Sequence, residues 1–250
     1  MSGLRRAAAA LVLVLAASSC SSGTKAVLPL CTSGGLNITV EQAENASTIA
    51  AVGKRLNMPD HAVTVALATA LQESGLRNLT YGDRDSLGLF QQRPSQGWGS
   101  AATVSTPRLA AASFYDHLRR IRGWESLDIT VAAQRVQRSA APEAYAQWEA
   151  PARVLAQALT GEVPAGLACR YPAPPPTAGV GDPTPDAVRE LGPGGVTRGG
   201  TPARTWTAAC WLVAHAAGYR IQTVSVSGRT WSRSRGMWVA DPAARTLTFR

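Results

Sequence analysis

Gln72-Glu73-Ser74-Gly75 and, after a short gap, Ser86-Leu87-Gly88-Leu89-Phe90-Gln91-Gln92-Arg93-Pro94 are the stretches that decide how this chain is read. The first closes a helix. Asn57-Met58-Pro59-Asp60 is a helix start, with Asn57 as cap and Pro59 in the first turn, and Gly75 is the stop. Glu73 falls near the C-terminal end of this almost uncharged segment. Ala66, Ala70 and Glu73 share one helical face, so the carboxylate emerges among small residues. Partial burial and the negative end of the helix dipole both favour the protonated carboxyl there. That is the state a general acid needs. From position alone, a simply solvated last-turn glutamate fits as well.

Outward from this stretch, the apolar spacing predicts further helices. One begins near Pro107, with Ala110, Phe114, Leu118 and Ile121 on its apolar face. A second follows Ser126, with Ile129, Ala132, Ala133 and Val136. A third carries Tyr145, Trp148, Ala152, Leu155 and Leu159 and ends at Gly161, with Pro151 expected to kink or break it. Residues 164–203 hold nine prolines and many glycines and read as a semi-rigid linker. Beyond it, Ala203 to Ala217 reads helical. Short strands follow near Val224, Thr230, Met237 and Thr246, with turn signals at Ser227-Gly228 and Asp241-Pro242.

The N-terminus directs export. Arg5 and Arg6 precede an apolar run from Ala7 to Ala17, and Ser18-Ser19-Cys20 follows. Small residues before a cysteine resemble a bacterial lipobox, with Ala17 standing where leucine is usual. Lipidation at Cys20, ordinary secretion and an uncleaved anchor are the three readings. No later segment reaches the ~18 apolar residues of a membrane span, which excludes a transporter. Outside the cytoplasm disulfides persist. Cys31 precedes the first helical segment and Cys169 follows the last of that block, so the two are expected to bridge. Cys210 sits at helical spacing with Trp206, Val213 and Ala217 and reads as a buried core thiol. If Cys20 is not lipidated, two bridges are open.

The helix-terminal Glu73-Ser74 paired with Ser86-Leu87-Gly88-Leu89-Phe90-Gln91 resembles the lysozyme-like fold of lytic transglycosylases and goose-type lysozymes. The longer string from Ala66 through Gly99 is similar to a lysozyme-like domain of secreted actinobacterial proteins. The resemblance covers roughly residues 45–160. It implies a mainly α lysozyme-like domain followed by the Pro/Gly-rich linker and a small α+β domain. The boundaries read as 1–20 signal peptide of lipoprotein type, 21–40 tether, 41–163 helical domain, 164–203 linker and 184–250 small basic accessory domain. The resemblance implies that Glu73 protonates the glycosidic oxygen between N-acetylmuramic acid and N-acetylglucosamine, then serves as base while the muramyl 6-hydroxyl closes an anhydro ring. One carboxylate suffices for that chemistry. Gln91, Ser86 and Gly88 line or shape the cleft in this reading, and Tyr81 and Trp98 are candidates to meet the sugar. Phe90 suits core or cleft equally.

A hydrolase needs a second carboxylate, about 5–5.5 Å away for retention and 6.5–9.5 Å for inversion. Asp83 and Asp85 are the candidates; as salt pairs or turn caps around Arg84 they have an equally ordinary explanation. The polar Gln92-to-Gly99 loop departs from the more apolar run of the better-known transglycosylases. A descendant that binds wall glycan without cleaving it is therefore the alternative function.

No Cys-x-x-Cys or His-Glu-x-x-His spacing argues for a metal, and no glycine-rich phosphate loop argues for a cofactor. The formal charge is +9, from 25 Lys and Arg against 16 Asp and Glu. Residues 36–168 hold 12 basic and 12 acidic residues, whereas residues 169–250 hold 10 and 4. Peptidoglycan strands are the expected partner of the first region. An anionic envelope polymer or membrane surface is expected for the second, and nucleic acid does not fit an exported chain.

Overall fold

The computed structural model describes residues 30–171, 181–196 and 200–250. Cys20 and the signal segment lie outside the described residues. The region read as a tether ends in a hairpin, β1 (Leu30–Ser33) and β2 (Leu36–Ile38). Gly34 and Gly35 close it with φ of 51° and 86°, the left-handed pair a two-residue turn requires. Helix α1 (Val40–Arg55) starts at a capping box: the Thr39 hydroxyl accepts from the Gln42 N–H, and the Gln42 side chain accepts from the Thr39 N–H.

Helix α2 (Asp60–Ser74) is buried around most of its circumference, the mark of a central helix. Pro59, with extended backbone, stands just before it, and Asn57 adopts φ 56° in the turn after α1 rather than capping α2. Short α3 (Ala101–Val104) packs on α4 (Pro107–Arg119), and α4, α5 (Ile129–Gln137) and α6 (Glu149–Leu159) stand around α2. The expected long helix across Pro151 is two pieces, a 3-10 helix over Pro142–Trp148 and then α6. Pro151 therefore falls in the first turn of α6, where its missing N–H has no intrahelical partner to lose.

Strand β3 (Ala168–Arg170) returns to pair antiparallel with β1, giving the order β2-β1-β3. Cys31 and Cys169 lie directly opposite one another in that pairing and are joined by a disulfide, both fully buried. Helices α7 (Thr184–Leu191), α8 (Pro202–Ala214) and α9 (Ala216–Tyr219) follow. A second antiparallel sheet closes the chain: β4 (Thr223–Val226), β5 (Arg229–Ser232), β6 (Met237–Ala240) and β7 (Thr248–Phe249), in the order β6-β5-β4-β7.

This arrangement corrects the expected fold class. A mainly α lysozyme-like domain, a linker and a separate small α+β domain would bury two cores. Instead one continuous apolar cluster runs from Cys31 through Ile49 and Leu67 to Trp211, Trp231 and Leu247. Helices α7 and α8 both pack against α1. Residues 164–203, read as linker, supply β3 and α7 to that structure. The seam is also tied by polar bonds. Glu190 of α7 accepts from the Thr48 hydroxyl of α1 at 2.9 Å and from the Trp211 indole of α8 at 2.7 Å. The indoles of Trp231 and Trp238 donate to the carbonyls of Cys169 and Leu167 at 3.1 and 2.8 Å. Proline and glycine content masked these elements because Pro183 and Pro185 fall at the start of α7, the one place in a helix that tolerates them.

The disulfide fits an oxidising, exported location. Among the described residues no helix is long and apolar enough to cross a membrane. Cys210 is fully buried, and burial pushes its thiol up to about 12, so it is an inert core group.

Candidate functional site

Helix α2 delivers Glu73 to the surface of the helical core. Gly75 stops the helix in the left-handed conformation, φ 61°, and the N–H groups of Gly75 and Leu76 close on the carbonyls of Leu71 and Ala70. Ser74, buried beside Glu73, donates its hydroxyl to the Leu89 carbonyl at 2.7 Å and so ties the Ser86–Gln91 turn to the helix end. The Pro142–Trp148 turn grips the other side. Tyr145 donates its hydroxyl to Glu73 Oε1 at 2.6 Å, and the Trp148 indole donates to Gln72 Oε1 at 2.7 Å. Burial, and then the hydrogen bond to Glu73, raise the Tyr145 phenol well above its ordinary value, so it stays a donor. Its hydroxyl also meets the Ser139 side chain.

The second motif forms a tight turn. Leu87 and Gln92 exchange both backbone hydrogen bonds, at 3.0 and 3.1 Å. Gly88 sits at its start with φ 76°, and an added Cβ would come within 2.0 Å of the Val104 carbonyl oxygen. Only glycine lets the chain pass that close. Ser86 is buried. Gln91, at φ 46°, folds its amide back to donate to the carbonyls of Tyr81 and Gly88 at 3.2 and 3.3 Å. Gly82 makes room for it, since a Cβ there would meet Gln91 Oε1 at 2.0 Å. Phe90 is core, stacked on Phe114 with centroids 4.8 Å apart.

Beside this turn lies an open cavity of about 680 Å³. Asp83, Gln91 and Trp98 line it, and Trp98 stacks on His117 at 3.9 Å to form an aromatic wall. Helix α5 and its exit add Arg135, Gln137, Arg138 and Ser139 to the lining. Glu73 is not among the lining residues. It is half-buried one step behind them, connected through Tyr145 to Ser139. Tyr81 also stands outside the lining and is 68 % exposed.

The two aspartates differ. Asp85 accepts from the Ser95 N–H at 2.8 Å and from Arg93 Nε at 2.9 Å, and these bonds, in that order, hold its carboxyl well below the usual carboxylate range. It braces the loop. Asp83 is almost fully exposed and sits 3.9 Å from Arg84.

The structure thus brings Gln91, Trp98 and Asp83 to one cavity, and places Glu73, Ser86 and Gly88 in the scaffold that borders it. Tyr145 and the α5 arginines escaped sequence reading. Helical spacing marks Tyr145 only as an apolar-face residue; the available signal is its hydroxyl, which once buried needs a partner. Compared with known protein families and with curated proteins, the chain matches none.

Proposed function

We propose that this protein is an exported peptidoglycan-cleaving enzyme that acts on the bond between N-acetylmuramic acid and N-acetylglucosamine through Glu73 as the sole acid and base. The observation that carries the reading is the placement of Glu73. It is a half-buried carboxyl at the end of the central helix, oriented by the Tyr145 hydroxyl at 2.6 Å and linked through Tyr145 and Ser139 to an open cavity walled by Gln91 and Trp98. A carboxyl so oriented suits proton donation to a leaving oxygen. Asp85 is consumed by Arg93 and Ser95, and Asp83 is a solvated surface group. Neither arrangement supplies a positioned second carboxylate, which favours chemistry in which the sugar's own 6-hydroxyl attacks and an anhydro ring forms. The resemblance of Glu73-Ser74 and Ser86-Leu87-Gly88-Leu89-Phe90-Gln91 to lytic transglycosylases supports the same reaction class.

In the alternative, a lipid-anchored protein binds wall glycan in the same cavity and cuts nothing. One observation favours it: Glu73 is absent from the cavity lining, and its carboxylate is already bonded to Tyr145. Mass spectrometry of soluble products separates the two. Incubation with purified peptidoglycan is expected to release anhydromuropeptides from wild type and none from Glu73→Gln. Retained wall binding without product from either protein supports the alternative. The basic C-terminal segment, 10 basic against 4 acidic residues over 169–250, suits contact with an anionic envelope polymer or membrane surface while the cavity holds the strand. Lipidation at Cys20 would keep the protein on the outer face of the membrane.

A further inference from the structure

The helical region is electrically neutral as a whole, yet its cavity is not. Arg93, Arg120, Arg135 and Arg138 line the cavity against a single acidic residue, Asp83. Arg93 is already held by Asp85, and Asp83 sits beside Arg84 outside the ring of four. Arg120, Arg135 and Arg138 have no ion-pair partner among the described residues. Arg138 ends α5 in the left-handed conformation, φ 54°, with its N–H donating to the Gln134 carbonyl. Three uncompensated guanidinium groups around one concavity focus a positive field. Their planar forks match carboxylate oxygens two at a time. The Trp98–His117 stack in the same lining offers a flat surface of the kind on which a sugar ring rests.

We infer that this cavity selects glycan strands that carry carboxylates, with the sugar on Trp98 and its carboxylate substituents held by Arg120, Arg135 and Arg138. The inference rests on the reading that a wall glycan is the ligand, and it adds what that reading leaves open: which chemical form of the strand is taken. Carboxylates are chosen over phosphate because the murein strand itself bears them, on its lactyl groups or on its peptides. Charge placed here also explains how a region of zero net charge could grip an anionic polymer.

Binding of full-length Glu73→Gln protein, which leaves the strands uncut, tests this. The probes are soluble peptide-bearing glycan strands, the same strands with their carboxylates amidated by carbodiimide, and a glycerol-phosphate polymer as competitor. Amidation is expected to weaken binding about tenfold or more, the scale of losing one or two charge-assisted bonds. Arg135→Gln/Arg138→Gln is expected to weaken native-strand binding to a similar extent and to flatten its salt dependence; both residues are exposed, so the fold is not at issue. Equal binding of native and amidated strands, or an unchanged double variant, overturns the inference. So does a phosphate polymer that displaces the native strand at equal charge. The two readings fail separately. Wild type that binds carboxylate strands tenfold better but cleaves nothing removes the Glu73 chemistry and leaves this site. Wild type that cleaves native and amidated strands alike does the reverse.

Discussion

Glu44 offers a quantitative test of how α1 meets the C-terminal segment. It faces a cavity of about 420 Å³ between them, shared with Thr48, Asp186, Glu190 and His215. Burial first, and the nearby Glu41 second, raise its carboxyl from 4.5 to about 7. An acid whose folded value lies above its unfolded value is most stabilising below the unfolded value. Its contribution is lost as pH rises from about 4.5 through about 7, because folding then retains a proton that the unfolded chain has released. The full conversion is about 3 kcal/mol. Solvent still reaches part of the side chain, so roughly 1.5 kcal/mol is the expected size. Glu44→Gln keeps the shape and removes the titration. Urea unfolding followed by tryptophan fluorescence should give similar stabilities for the two proteins at about pH 3.5, below the unfolded value of 4.5. At pH 8 the variant should be more stable by about 1.5 kcal/mol. A difference that does not change with pH, or wild type gaining on the variant as pH rises, would show that Glu44 does not titrate from a buried site.

Two further perturbations test the architecture. Reducing the Cys31–Cys169 bridge frees a loop of 138 residues, worth at most about 5 kcal/mol in the chain-entropy account; denaturation with and without reductant measures it, and an unchanged midpoint would show that the β1–β3 pairing holds without it. Trp211→Ala should cost about 3–5 kcal/mol, since this indole is buried against the core and bonded to Glu190. Removing residues 181–250 should for the same reason leave a chain that does not fold cooperatively, and a stable, cooperatively melting fragment would restore the two-domain picture.

Much of the helical region was legible because its apolar residues recur at helical spacing. Phe114 and Leu118, or Ile129 and Val136, fall on buried faces where the period put them. The strands around Val224 and Trp231 were also visible, through alternation and the Ser227-Gly228 turn. What periodicity cannot carry is which element covers which. Helix α1 buries Asn45 and Thr48 along with its alanines, and those polar positions make sense only once Asn45 donates to the Leu76 carbonyl beyond α2 and Thr48 donates to Glu190 of α7. Hence the sequence suggested two cores where there is one. The same holds at the site. Glu73, Gly88 and Gln91 stood out by motif, but Tyr145 reaches Glu73 across 72 residues, and no local pattern encodes that bond. The arginines of α5 were averaged away in a net charge of zero.

Cleavage in the proposed function depends on the Glu73 carboxyl. The direct measurement is the initial rate of soluble muropeptide release from purified peptidoglycan by wild type and by Glu73→Gln, each first shown to melt cooperatively at the same temperature. A lost general acid costs about 10²–10⁴ in rate, so release by wild type and a fall of at least about a hundredfold in the variant are expected. Release by Glu73→Gln within a few-fold of wild type would contradict that dependence.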